Sequence, residues 1–299
     1  MIQARKLTKS FDGHPVLSGL DLTVEDGSVY GLIGRNGAGK TTLIQLLSGV
    51  WKPDDGKIAF DGAPVWEAPE VKARIAVIPD HPVFGAGETL CSMAKMHRCL
   101  YPRWESQTYD SIVNSLSLDP KKPLRSFSKG MKKQAAMALA LAAKPNFLLM
   151  DEPMDGLDPV ARRQLRQLIL DDVAERQTSV LIASHNLREL EGICDHIGLI
   201  RDGVMTAESD LDDLKSGVCK IRTAFRSGLP AELAASLDIV HRESLGSLET
   251  LIVKGDADAI KGCLSEADPL VLELLPLTLE EIFIYDLGGE HDAFESEQI

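Results

Sequence analysis

Gly34-Arg35-Asn36-Gly37-Ala38-Gly39-Lys40-Thr41-Thr42 is the stretch whose reading decides the fold. It fits G-x-x-x-x-G-K-[ST], the phosphate-binding loop. Val29-Tyr30-Gly31-Leu32-Ile33 precedes it as a short apolar run and reads as a buried strand. Thr42 to Gly49 follows and reads as a helix with a glycine stop. Strand, glycine loop, helix is the context this motif requires. A triphosphate must be held without bulky side chains in the way. Gly34, Gly37 and Gly39 let the backbone turn its N–H groups inward. The positive end of the next helix faces the same point. Lys40 is expected to reach the β and γ phosphates, and the Thr41 hydroxyl to hold Mg²⁺, a hard cation that prefers oxygen. Arg35, Asn36, Ala38 and Thr42 complete the nucleotide-contacting stretch.

Outward from the loop, short apolar runs alternate with helical patterns. Phe147-Leu148-Leu149-Met150 is fully apolar, as in a parallel sheet covered on both faces. Asp151-Glu152 follows it. Carboxylates at the end of such a strand suit Mg²⁺ binding and activation of a water for attack on the γ phosphate. Asp151 is read as the metal ligand and Glu152 as the general base. Ile2 to Lys9, Leu20 to Val24, Lys57 to Phe60, Ile75 to Ile78, Ser179 to Ala183 and Ile197 to Ile200 also read as strands. From about 85 to 125 strand signals vanish and apolar residues fall at helical spacing. Ser128 to Ala143 continues as an alanine- and leucine-rich helix. Beyond 217 a second mixture of strands and helices begins.

The chain has 299 residues, enough for one large domain and a smaller one. Its net charge of -13 argues against a nucleic-acid partner, whose phosphates need a basic surface. Cys91, Cys99, Cys194, Cys219 and Cys263 form no C-x-x-C pair and read as reduced thiols of a cytosolic protein. No apolar run reaches membrane-spanning length, and Met137 to Met150 is broken by Lys144-Pro145. A membrane role is therefore expected to come through a separate subunit. His14, His81, His97, His196, His241 and His291 lack metal-ligand spacing.

Taken together, these residues resemble the nucleotide-binding subunit of an ATP-binding-cassette (ABC) transporter, over residues 1 to about 215. Gly34 to Thr42 matches Walker A, and Phe147 to Glu152 matches Walker B with its glutamate. Met154 to Asp158 resembles the D-loop. Phe11 falls where the family stacks an aromatic on adenine. His185 matches the switch histidine that, in the family, contacts the γ phosphate and holds the attacking water. Phe127-Ser128-Lys129-Gly130-Met131 falls where the family carries L-S-G-G-Q. Phe127, Lys129 and Met131 depart from that pattern, while Ser128 and Gly130 are retained. Ser128 is a good N-cap, and the helix behind it offers a positive end to an anion. In the family that anion is ATP held by the opposite subunit.

The Q-loop position carries Asp80 in place of glutamine. Two readings stand for it: a carboxylate approaching Mg²⁺ directly or through water, or a turn residue before His81-Pro82. Ser128 to Met131 and Leu277 to Phe283 are similar to segments of the YtrB-like, exporter-type bacterial subfamily.

The resemblance implies an α/β P-loop NTPase core with an antiparallel β subdomain, a helical insert at about 85–143, and a small C-terminal α+β appendage. The domains expected are 1–215 for the ATPase, 216–288 for the appendage, and 289–299 as a disordered acidic tail. It implies ATP and Mg²⁺ as ligands. It also implies a homodimer or heterodimer with a related ATPase, and a transmembrane permease that holds the protein at the cytoplasmic face of the membrane. The competing reading is a soluble ABC ATPase acting on a non-membrane partner. Members of that kind usually carry two cassettes or a long coiled coil, and this chain shows one cassette and no sustained heptads. A GTPase or small-molecule kinase shares the phosphate loop, but no N-K-x-D motif is present.

Overall fold

The computed structural model describes residues 1–226 and 228–285, so the expected acidic tail lies outside the described residues. The chain divides into two compact units, one spanning Met1–Glu208 and the other beginning at Ser209.

The first unit contains two sheets. The smaller has the order β2-β1-β4-β5, from β1 (Ile2–Phe11), β2 (His14–Val24), β4 (Asp55–Phe60) and β5 (Ala63–Pro64). Its β1 pairs antiparallel with β2 and with β4. This is the expected antiparallel subdomain. The larger sheet runs β10-β9-β3-β8-β7-β6. Its strands are β3 (Val29–Ile33), β6 (Ile75–Ile78), β7 (Phe147–Asp151), β8 (Ser179–Ser184), β9 (His196–Arg201) and β10 (Val204–Asp210). The pairs β6–β7, β7–β8, β8–β3 and β3–β9 are parallel. Every residue of β3, β7 and β8 is buried. That explains their unbroken apolar runs, because a parallel sheet has no solvent face.

Helix α1 (Lys40–Leu47) packs on β7 and β8. A short α2 (Pro69–Lys72) precedes β6. Between β6 and β7 lie α3 (Leu90–Leu100), α4 (Ser106–Ser115) and α5 (Lys129–Ala142), with α3 and α4 both packed on α5. Thr89 and Ser92 close a reciprocal capping box at the start of α3, satisfying two otherwise unpaired N–H groups. α6 (Pro159–Arg176) and α7 (Leu187–Leu190) complete the unit. One continuous core joins the two sheets, and Phe60 meets Phe147 edge-on at 4.8 Å.

The second unit begins with α8 (Leu211–Ser216), which packs on β11 (Val218–Ala224). The division therefore falls before the expected 215/216 boundary: Leu211 and Leu214 are buried there. The unit continues through α9 (Ala231–Ser236), β12 (Asp238–Leu245), β13 (Leu248–Lys254), α10 (Ala257–Glu266) and β14 (Val271–Leu275), and ends with α11 (Leu279–Tyr285). From β11 to β14 this is a β-α-β-β-α-β order. The sheet order β12-β13-β11-β14 with antiparallel pairings is that of a ferredoxin-like split βαβ. Its core gathers Ile221, Leu251, Val253 and Leu264.

Candidate functional site

The glycine loop leaves β3 at its C-terminal end and enters α1 through Gly39, which holds φ +108°. Only glycine takes that conformation without strain. A Cβ on Gly39 would also stand 2.7 Å from Leu17 Cδ2, so β2 closes one side of the loop. Gly37 is at φ +85° with open space around it. Arg35, Asn36 and Gly37 are exposed, while Gly34, Ala38, Gly39 and Lys40 are buried. Lys40 curls back over the loop. Its Nζ donates to the Gly34 carbonyl at 2.6 Å and the Arg35 carbonyl at 3.3 Å, and lies 3.4 Å from Glu152 Oε1. Thr42 continues the first turn of α1.

The parallel sheet places the ends of β3, β7 and β8 side by side. That register brings Asp151 beside Ala183 and the loop beside both. Thr41 Oγ1 donates to Asp151 Oδ2 at 2.6 Å. Asp151 is buried, and its Oδ1 has no hydrogen-bond partner. Burial holds the Asp151 carboxyl above its ordinary value, and the charges of Glu152 and Asp80 push the same way against Thr41 and Lys40. A hydroxyl, a buried carboxylate and an orphaned oxygen are the donor set that Mg²⁺ favours, so these residues fit that ion. Among the described residues no group of three or more His, Cys, Asp or Glu side chains is gathered as a metal cage. Nucleotide oxygens would have to complete the coordination.

Glu152 begins the turn after β7 with φ +46°, a strained value for a residue with a side chain. Its N–H donates to the Ala183 carbonyl at 2.8 Å. Its Oε1 lies 2.9 Å from His185 Nδ1. Its Oε2 accepts from the Ser184 hydroxyl at 3.1 Å and the His185 N–H at 3.4 Å. Lys40, Glu152 and His185, read separately from the sequence, thus meet at one carboxylate. The Ser184 hydroxyl also lies 3.3 Å from Glu189 Oε2, and burial raises the Glu189 carboxyl.

Ser128 is the N-cap of α5, and its hydroxyl accepts from the Met131 N–H at 3.2 Å. Gly130 sits against the D-loop segment, where a Cβ would be 3.0 Å from Leu157 Cδ2 and 3.1 Å from the Gly156 carbonyl. Lys129, one of the departures from the signature, donates to Asp155 Oδ2 at 2.6 Å and so ties α5 to the same segment. Phe11 ends β1 opposite His14. Trp51 meets its ring edge-on at 5.5 Å, and Lys9 Nζ lies 5.4 Å from its centroid.

Asp80 lies just beyond β6, with its carboxylate directed to lysines. Oδ1 is 3.1 Å from Lys133 Nζ and 3.8 Å from Lys129 Nζ. Sequence reasoning missed Lys133, Ser184, Glu189 and Trp51. Lys133 could have been found, because it lies four residues before Met137 on the apolar face of its helix, where a charge needs a partner.

A family model described as ABC transporter matches residues 17–155. The ABC transporter ATP-binding protein YtrB of Bacillus subtilis is 37% identical over 290 residues, covering 97% of this chain and 99% of that one. The chain belongs to the ABC transporter family, as an ATP-binding protein. A second relative, the bacitracin transport ATP-binding protein BcrA of Bacillus licheniformis, is 30% identical over 309 residues, covering 97% of this chain and 98% of its own. A solved ATP-binding subunit of an ABC transporter shares the fold with a TM-score of 0.67 at 28% identity, over 72% of this chain and 92% of that chain. This ABC protein is accordingly an ATPase with an ATP-binding α/β core. No described helix is long and apolar enough to cross a membrane.

Proposed function

We propose that this ABC ATPase binds MgATP in the seam between two head-to-tail subunits and powers a separate transmembrane permease, in the direction of export. The observation that carries the reading is the convergence of Lys40, Thr41, Asp151, Glu152 and His185 at the C-terminal ends of β3, β7 and β8. Lys40 and the loop N–H groups hold the β and γ phosphates, with Arg35, Asn36 and Thr42 along the same stretch. Phe11, backed by Trp51, offers a ring face to adenine. Bound Mg²⁺ supplies charge neutralisation on the phosphates. Thr41 and Asp151 hold that ion, and Asp80 adds negative charge nearby.

Glu152 takes the proton of the water that attacks the γ phosphate, and His185 fixes the carboxylate and that water. The bond between the γ phosphorus and the bridging oxygen breaks as the new P–O bond forms, leaving ADP and phosphate. Ser128 and Gly130 present the positive end of α5 to the nucleotide of the opposite subunit. Transport of bacitracin by the relative BcrA supports the transport role, and the Ser128–Met131 segment supports export.

The test is Glu152→Gln. It should keep ATP binding, slow hydrolysis by about 10²–10⁴-fold, and accumulate as an ATP-dependent dimer in light scattering. A strictly monomeric, nucleotide-loaded Glu152→Gln protein would overturn the seam. Co-purification from membranes with a hydrophobic subunit tests the permease.

A further inference from the structure

We propose that Lys133 is a positioning residue for hydrolysis, aiming the Glu152 side chain and linking that aim to Asp80. Lys133 is completely buried, at 0% exposure. Lysine almost never reaches that state unless paired, because stripping water from an ammonium costs several kcal/mol. Its Nζ spends its hydrogen bonds on two acceptors. One is Asp80 Oδ1, at 3.1 Å beyond β6. The other is the backbone carbonyl of Glu152. The helix that signals to the neighbouring subunit, the segment after β6 and the turn after β7 are therefore joined through one ammonium.

The second contact carries the inference. The Glu152 N–H is held by the Ala183 carbonyl at 2.8 Å, and the Glu152 carbonyl is held by Lys133. These two bonds fix the peptide groups on either side of the Glu152 Cα. Between them the residue keeps φ +46°, and that dihedral sets where the carboxylate points. Without the ammonium, the Glu152 carbonyl keeps only the longer bond from the Asp155 N–H at 3.3 Å, so that flank of a strained residue is held more weakly. At its other end Lys133 meets a partly exposed carboxylate, which Lys129 also approaches at 3.8 Å. A displacement of Asp80 would therefore be felt at Glu152 through a single rigid contact. An ordinary buried ion pair would stabilise the fold without touching the base.

This inference rests on Glu152 being the general base, and the experiment separates the two claims. Lys133→Met, Lys133→Arg, Asp80→Asn and Glu152→Gln are made in the full-length ATPase, and kcat, KM for ATP and binding of a fluorescent ATP analogue are measured. Lys133→Met is expected to lower kcat by about 10–100-fold, the range for a slightly misaimed catalytic group, with KM and nucleotide affinity unchanged. Lys133→Arg, which keeps a donor, should recover part of that loss. Asp80→Asn acts on a partly exposed side chain and leaves the core intact, so it gives the same kcat-only change, smaller in size, even if Lys133→Met fails to fold. Unchanged kcat in folded Lys133 and Asp80 variants would overturn the proposal, as would kcat, affinity and melting temperature falling together. Wild-type turnover in Glu152→Gln would instead remove the base itself.

Discussion

Asp151 is a carboxylate stored at a cost. Burial raises its pKa, so the folded protein disfavours its charge until a cation arrives. The sign for stability follows. A carboxyl raised on folding penalises the fold above its folded pKa, and the penalty vanishes below the unfolded value of 3.8. Nucleotide-free Asp151→Asn should melt higher than wild type near pH 8, with the gap closing as the solution is acidified. Differential scanning fluorimetry would show it, and the same variant should lose magnesium-dependent ATP binding. Gly39→Ala should act in the opposite sense. Its φ of +108° and the 2.7 Å approach to Leu17 leave no room for a methyl group, so about 1–3 kcal/mol of stability should be lost together with nucleotide binding.

The residues of the glycine loop were legible because their chemistry is local: nine consecutive positions carry the whole message. Asp151 and Glu152 were legible because they follow a fully apolar run, and His185 through its match to the family's switch histidine. Lys133 was legible only as a charge on the apolar face of its helix, since its partner Asp80 is 53 residues away and nothing in the sequence names it. Ser184 fell just past the expected strand, and only the fold laid it against Glu152.

Among elements, the long helices show their ends plainly. α6 opens on Asp158-Pro159, and Asp158 Oδ1 accepts from the Val160 and Ala161 N–H groups at 2.9 Å each. Asp158→Ala should cost about 0.5–2 kcal/mol, read as a lower urea midpoint with an unchanged m-value. The fully buried strands of the parallel sheet were equally readable as apolar runs. β10 and β12 were missed for a shared reason. No residue of either is fully buried, and both carry acidic or polar residues, as strands at a sheet border do. In β10 exposed and half-buried positions still alternate, with Met205 packed against the core, but too few apolar residues mark the inner side. α7 spans only Leu187–Leu190, because Glu191 is already extended and Gly192 at φ +72° then turns the chain.

For the molecule as a whole, two units mean two sources of stability. With the proposed MgATP site in the first, calorimetry should show one transition raised, by about 2.7 kcal/mol at a hundredfold excess over Kd, and the other left in place. Acid should reach the second unit as well. Burial would raise Glu281, but hydrogen bonds from Lys220 and from the Thr278 N–H and hydroxyl hold its carboxyl below the ordinary value. A carboxyl lowered on folding stabilises above its unfolded value of 4.5 and loses that contribution as pH falls through the lowered one. Glu281→Gln should flatten the acid sensitivity of the second transition.

Thr41 and Asp151 touch across 110 residues of chain, and His185 comes later still. During synthesis the glycine loop therefore emerges long before anything can close over it. An early fragment presents half a nucleotide pocket, with loop amides but no carboxylates. On the proposed mechanism, the carboxylates and the histidine that act on the γ phosphate are made only with β7 and β8, so turnover waits for the last strand of the site.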